Sequence, residues 1–275
     1  MAELVAGFGV SHGPHFPQVV ARTGPQCEPA RLYAEVAKRL EVARPDAIVL
    51  FANDHFNTFF LDNLPTFAIG VADATAGPND GTDMPPYTVP VHRALATHLR
   101  AHAIAGAFDL ASAEEFTLDH AFMVPLHFLA SAMRIPVVPV FVNAFMPPLP
   151  RAARCYALGR TVRTAIANYP QPLRVAVMCS GAFSLEVGGP RVLPKRRDNI
   201  PAPEWSARVH AHLQRGSIDD LVAEATPVQI WEAGNTAGEI LNWIAMLGAL
   251  GERKPEYLAL LSNGAHCFGA WGPVR

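Results

Sequence analysis

Five consecutive apolar residues, Ala47-Ile48-Val49-Leu50-Phe51, run within four positions into Asn53-Asp54-His55, and this stretch most narrowly limits how the chain folds. The run is short, branched and aromatic, and it opens after Pro45-Asp46, so it reads as a central strand rather than a helix. His55 then stands just past that strand's carboxyl end. In open α/β sheets this edge is where ligands bind, because the strand tips leave a crevice between loops. Nothing in packing alone requires an apolar strand to finish on an acid and an imidazole.

The same pattern recurs along the chain. Residues 4–10 form an apolar run of strand length that ends at Ser11-His12-Gly13-Pro14-His15, so a second strand tip carries histidine. Between the two runs, residues 28–43 place Leu32, Val36 and Leu40 at helical spacing. Further strands are expected at 66–71, 108–111, 135–142, 173–179 and, as the last, 257–261. Helices are expected at 89–105, from a cap at Asp119 or Thr117 to about 133, at 151–168, 204–215 and 218–225, and from a cap at Asn235 or Thr236 to about 250. Residues 73–87 read as a long loop, a kind that is usually functional in a compact domain, and 188–203 as a loop or lid. Strand and helix alternate, which implies an α/β fold: one domain over 1–275, a central mixed sheet flanked by helices, and the active site at strand carboxyl ends.

Half of the 275 residues are hydrophobic, enough for a full core, and Lys+Arg 22 against Asp+Glu 24 leaves no basic excess. Nucleic acid and membrane surfaces are therefore not expected partners. The four cysteines, Cys27, Cys155, Cys179 and Cys267, are far apart with no Cys-x-x-Cys, which argues against a disulfide scaffold or a structural zinc knot. The amino terminus lacks a secretory pattern and the apolar runs are too short to span a bilayer, so a soluble cytoplasmic protein is expected. Apolar helical faces point to a homo-oligomer.

Glu239 is the odd member of an otherwise apolar helix start. A first-turn acid favours the helix dipole, and a bound metal would stabilise it further. With His12 and His55 it makes two imidazoles and one carboxylate, the ligand set of non-haem Fe(II) oxygenases, shared with some zinc hydrolases. There is no His-Glu-x-x-His helix to supply a protease's general base. His92, His98 and His102 have no carboxylate among them and read as solvated or rim residues.

Taken together, Ser11-His12-x-Pro14, Asn53-Asp54-His55, Pro65-Thr66-Phe67-Ala68-Ile69-Gly70, Asp119-His120 with Pro125-Leu126, Tyr156-Ala157-Leu158-Gly159 and Gly238-Glu239-Ile240 before Trp243 carry a resemblance over nearly the whole chain. The sequence resembles the class III extradiol ring-cleavage dioxygenases, the group of protocatechuate 4,5-dioxygenase β subunits and 2,3-dihydroxyphenylpropionate dioxygenases. The resemblance implies that His12, His55 and Glu239 hold Fe(II) and that His120 is an acid/base beside a small aromatic diol. O2 then opens the ring next to the diol to give a semialdehyde, with or without a small accessory subunit. One departure stands out: the family usually has a second acid/base histidine in the loop after residue 179, where this chain reads Gly181-Ala182-Phe183-Ser184-Leu185-Glu186. Leu185 cannot transfer a proton. Losing one general acid/base costs on the order of 10²- to 10⁴-fold in rate. The candidates to replace it are His15, His127, Glu186 and His266, with Phe183 lining the same loop and Arg191, beside Lys195-Arg196-Arg197, available to bind a carboxylate. Two other readings follow from the same residues: a non-catalytic partner subunit, motivated by Leu185, and a zinc-dependent hydrolase.

Overall fold

In the computed structural model, which describes residues 1–189 and 200–272, the 47–52 run is a strand with every residue buried. Ala47, Val49 and Phe51 enter one apolar cluster; Ile48, Leu50 and Ala52 enter another on the opposite face. Successive side chains of a strand point to opposite faces, so a run without polar residues needs cover on both sides. That requirement sets the layers: helix, sheet, helix.

In chain order the first half comprises β1 (Glu3–Val10), α1 (Phe16–Thr23), α2 (Glu28–Ala43), β2 (Ala47–Ala52), β3 (Phe67–Gly70), β4 (Ala74–Gly77), β5 (Tyr87–Pro90), α3 (Arg93–Ala105), β6 (Ala111–Ala113) and α4 (His120–Leu129). The second half comprises β7 (Val137–Val142), α5 (Ala152–Ala167), β8 (Arg174–Ser180), α6 (Pro203–Arg215), α7 (Ile218–Glu224), α8 (Pro227–Ala233), a 3-10 turn (Ala237–Glu239), α9 (Ile240–Leu250), β9 (Tyr257–Leu260) and β10 (Cys267–Trp271).

Eight strands form one mixed sheet in the order β6-β3-β7-β2-β8-β1-β10-β9. Its centre is parallel: β8 pairs with β1 through Gly9↔Cys179 and with β2 through Leu50↔Met178, and β2 pairs with β7 through Phe51↔Val140. β3 and β10 run antiparallel to their neighbours β7 and β1. Consequently β1, β2 and β8 end at one edge, and β10, running the other way, begins there. The α5 and α9 pair covers one face through a close crossing of small residues. A Cβ added to Gly248 would lie 2.2 Å from the Tyr156 carbonyl oxygen, so glycine is needed for the helices to approach this far. On the other face α2 and α4 pack together. Among the described residues no helix is long and apolar enough to cross a membrane.

The α/β class and mixed sheet agree with the sequence reading, and several element boundaries do not. Residues 73–87 are not all loop, because β4 and the start of β5 form a two-stranded ribbon there. The helix expected from 89 begins at Arg93, since Val89 and Pro90 belong to that ribbon and His92 caps the helix by accepting from Leu95 N–H. The strand expected at 108–111 lies at Ala111–Ala113, and the helix expected to reach 133 ends at Leu129. Residues 257–261 do not form the last strand, because β10 follows. Neither Asn235 nor Thr236 caps α9: Asn235 accepts from Val187 N–H, Thr236 Oγ1 donates to Leu185 O, and the 3-10 turn intervenes. Arg191 and Lys195-Arg196-Arg197 lie outside the described residues, as does most of the 188–203 segment.

Candidate metal centre and active site

Three loops meet at the edge where β1, β8 and β2 end. His12 follows β1 by two residues and is 4% exposed; His55 follows β2 by three; Glu239, 3% exposed, closes the 3-10 turn before α9. Their separations along the chain reach 227 residues, yet His12 Nε2 is 3.1 Å and His55 Nε2 3.6 Å from the same oxygen, Glu239 Oε1. The β8 loop passes between the two histidines and allows this. Gly181 there has φ 158, and a Cβ on it would lie 2.5 Å from Glu239 Cβ, so only glycine leaves room for the carboxylate.

Each of the three side chains is also held from behind. His12 Nδ1 shares a hydrogen bond of 2.6 Å with Ser180 Oγ. His55 Nδ1 is 2.9 Å from Asp119 Oδ2, which also accepts from the His55 backbone N–H at 2.7 Å. Glu239 Oε2 accepts from Ala182 N–H at 2.6 Å. Asn53 Nδ2 also lies 3.1 Å from His55 Nε2, and His120 brings a ring nitrogen within 4.8 Å of those of His12 and His55. Glu239 Oε1 thus meets both Nε2 atoms while each side chain's other polar atom is engaged by the scaffold. This is how metal-binding histidines and carboxylates are usually oriented, so the donor set fits a divalent ion of the first transition row.

The electrostatics agree. Burial raises the cost of charge on Glu239, but His12 and His55 outweigh it and hold the carboxyl well below the usual carboxylate range. Burial opposes charge on His55 too, yet Asp119 and Glu239 push it up to about 10. Asp119 is itself held at about 2, against burial, chiefly by His55. Burial lowers His12, with Glu239 opposing.

His120 begins α4, with Asp119 as the helix cap accepting from Ala121 N–H at 2.9 Å. Its ring stacks on His55 at 4.2 Å between centroids and meets His12 edge-on at 5.4 Å. Its Nδ1 is bonded to Asp80. These rings border a cavity of about 160 Å³ whose walls also include Phe145, Leu185, Val187 and His266. That is close to the roughly 150 Å³ that accommodates benzene in an engineered apolar cavity.

Of the other sequence candidates, Leu185 and His266 line the cavity. His266 precedes β10, whose antiparallel direction delivers it to this edge; it is 3% exposed and burial pushes it down to about 3. His15, Phe183, His127 and Glu186 are not on the cavity wall. His15 faces out against the Phe16 ring. Phe183 is fully buried edge-on to Trp243. His127 is bonded to Tyr87 Oη at 2.6 Å, because seven residues of α4 set it roughly 10 Å along the helix from His120. Glu186 is buried and accepts from Asn235 N–H at 2.8 Å, a structural role between two loops. His92, His98 and His102 are half-buried rather than solvated: His92 caps α3 and His98 Nε2 is bonded to Ala165 O at 2.9 Å, because α3 packs against α5. Sequence reasoning missed Ser180, Asp80 and Phe145. The length of the 73–87 segment was the one signal pointing toward Asp80.

Residues 7–271 match the family described as the catalytic LigB subunit of aromatic ring-opening dioxygenase. The chain belongs to this family. It is 31% identical to a protein named 2,3-dihydroxyphenylpropionate/2,3-dihydroxicinnamic acid 1,2-dioxygenase from Burkholderia vietnamiensis, covering 88% of this chain and 89% of the relative. A Paraburkholderia phymatum protein of the same name is 30% identical over 92% and 90% of the two chains. A crystal structure of an uncharacterised protein from Escherichia coli K12 has the same fold, with a TM-score of 0.59 over 98% of this chain and 100% of that one at 15% identity. The resemblance read from the sequence therefore holds at the level of the family.

Proposed function

We propose that residues 1–275 form one catalytic domain of an Fe(II)-dependent extradiol dioxygenase that opens a single-ring catechol or a related ortho-substituted phenol. In this reading His12, His55 and Glu239 hold the iron. The observation that carries it is the convergence of His12 Nε2 and His55 Nε2 on Glu239 Oε1, with each residue's other polar atom occupied by the scaffold. The names of the relatives support an aromatic diol and O2 as substrates.

Bound iron would supply a redox-active centre with adjacent open positions for a diol and a gas molecule. The rest falls to the chain's own residues. Asp119 and Ser180 keep the two imidazoles turned inward, and Ala182 N–H keeps the Glu239 carboxylate in one orientation. The cavity holds one ring among Phe145, Leu185 and Val187 and keeps bulk water from it. His120, anchored through Nδ1, presents its other nitrogen for moving a proton to or from the substrate. Leu185 contributes apolar contact only, so the proton relay is altered, and His266 is the replacement candidate that lines the cavity beside His120.

The test is anaerobic loading of the full chain with Fe(II), then air and a panel of catechols. Yellow semialdehyde absorbance with oxygen uptake is the expected result, lost in His55→Ala and Glu239→Gln together with the iron. Full activity in His55→Ala would reject the ligand assignment. Zinc in the purified protein with hydrolysis and no oxygen uptake would favour the hydrolase reading, and stoichiometric iron without turnover the partner-subunit reading.

A further inference from the structure

The ribbon of β4 and β5 carries a nine-residue tip, 78–86, that is fastened at several points. Asn79 donates from its backbone N–H to Leu118 O at 3.1 Å and from Nδ2 to Thr117 Oγ1 at 2.5 Å. Asp83 accepts from Gln18 Nε2 of α1 at 2.7 Å. Between these anchors Asp80 reaches the first residue of α4. One oxygen, Oδ2, accepts from the His120 backbone N–H at 3.1 Å and is also bonded to Nδ1 of the same residue's ring.

This grip repeats the one on the neighbouring ring, where Asp119 Oδ2 takes both the backbone N–H and Nδ1 of His55. The two stacked histidines are thus each clamped by a single carboxylate oxygen through main chain and ring at once. A free imidazole turns about two side-chain bonds and, when neutral, carries its proton on either nitrogen; the partner of one nitrogen decides which. An ionised carboxylate only accepts, so the nitrogen facing it must carry the hydrogen.

We propose that Asp80 is a positioning residue for His120. It holds the hydrogen on Nδ1 and turns Nε2 toward the cavity, and the 78–86 tip serves to deliver it. The kinetic part rests on the acid/base role of His120 proposed above; the tautomer does not.

The experiment uses the full chain labelled with 15N-histidine, metal-free and therefore diamagnetic, as wild type, Asp80→Ala and Asp80→Asn. Wild-type His120 is expected in a single form protonated at Nδ1, and Asp80→Ala as a mixture. Asp80→Asn should keep the single form, because an amide oxygen in the Oδ2 position can accept both hydrogens. With iron and a catechol, Asp80→Ala should lose about 10²-fold in kcat with KM within about threefold, and Asp80→Asn, whose amide oxygen still accepts, should lose less. Iron content should match in all three.

A wild-type His120 that carries its hydrogen on Nε2 alone, or is divided between the forms, overturns the proposal without any variant. So does a folded Asp80→Ala protein that keeps the wild-type tautomer, or an Asp80→Asn as impaired as Asp80→Ala. Wild-type protein with the expected tautomer and no ring cleavage counts against the dioxygenase reading alone.

Discussion

Asp119 joins the stability of the fold to the orientation of a candidate ligand, so its replacement has consequences that can be worked out from the contacts. In Asp119→Ala, α4 loses the cap on Ala121 N–H, which costs about 1 kcal/mol. The His55 N–H and Nδ1 lose their shared acceptor, and each donor left unsatisfied in the interior costs about 1–3 kcal/mol. Asp119→Asn keeps the shape and one acceptor oxygen, and so isolates the charge. The carboxyl sits at about 2, against an ordinary value of 3.8. That depression stabilises the metal-free chain by about 2 kcal/mol at neutral pH. Because the folded value is the lower one, the stabilisation is present above pH 4 and fades as pH falls from 4 through 2, with about half gone by pH 3. Urea unfolding of metal-free wild type and Asp119→Asn at pH 7 and pH 3 measures this: wild type should lose about 1 kcal/mol more than the variant on acidification. In Asp119→Ala the freed His55 ring should also weaken metal binding about 10- to 100-fold, read by competition with a chelating dye. Equal acid sensitivity in wild type and Asp119→Asn, or wild-type metal affinity in Asp119→Ala, would refute the reasoning.

Three further outcomes follow from the geometry. Gly248→Ala puts a methyl 2.2 Å from the Tyr156 carbonyl, so α5 and α9 must part; overpacking of this kind costs about 1–3 kcal/mol, and calorimetry should show Tm lower by about 2–10 °C. Ser180→Ala removes the 2.6 Å partner of His12 Nδ1 and should weaken metal binding about 10-fold or more while lowering metal-free stability by about 1–3 kcal/mol; unchanged affinity in a titration would count against the role given to the hydroxyl. His55 in the metal-free chain is pushed up to about 10 and is protonated at pH 7, whereas a metal needs the neutral ring. Metal uptake should therefore release a proton and tighten as pH rises from 7 to 9, and calorimetric heats independent of buffer ionisation enthalpy would exclude this.

The central parallel strands could be read from the chain because their side chains are apolar on both faces and no other element tolerates that in so few residues. β1, β2 and β8 were located within a residue or two for this reason, and α2 was located residue for residue. The edge elements were not. β4 and β5 are four residues each, alternate only weakly and hold their shape by pairing with one another, which a local pattern does not encode. β10 contains Gly269 and follows β9 after a short turn, so its five residues gave no separate signal. At the site, the converging residues were legible as polar groups misplaced at the ends of apolar runs. Those behind them, Ser180 and Asp80, look like ordinary turn residues until the fold brings them to partners 168 and 40 positions away.

The strand order carries a consequence for biosynthesis. Because β8 is inserted between β1 and β2, the two histidine-bearing tips have no fixed spacing until residues 174–180 have entered the sheet, and the carboxylate arrives only with residue 239. A nascent chain leaving the ribosome therefore exposes both imidazoles well before it can assemble the pocket, which stays open until residue 239 has followed them into the fold.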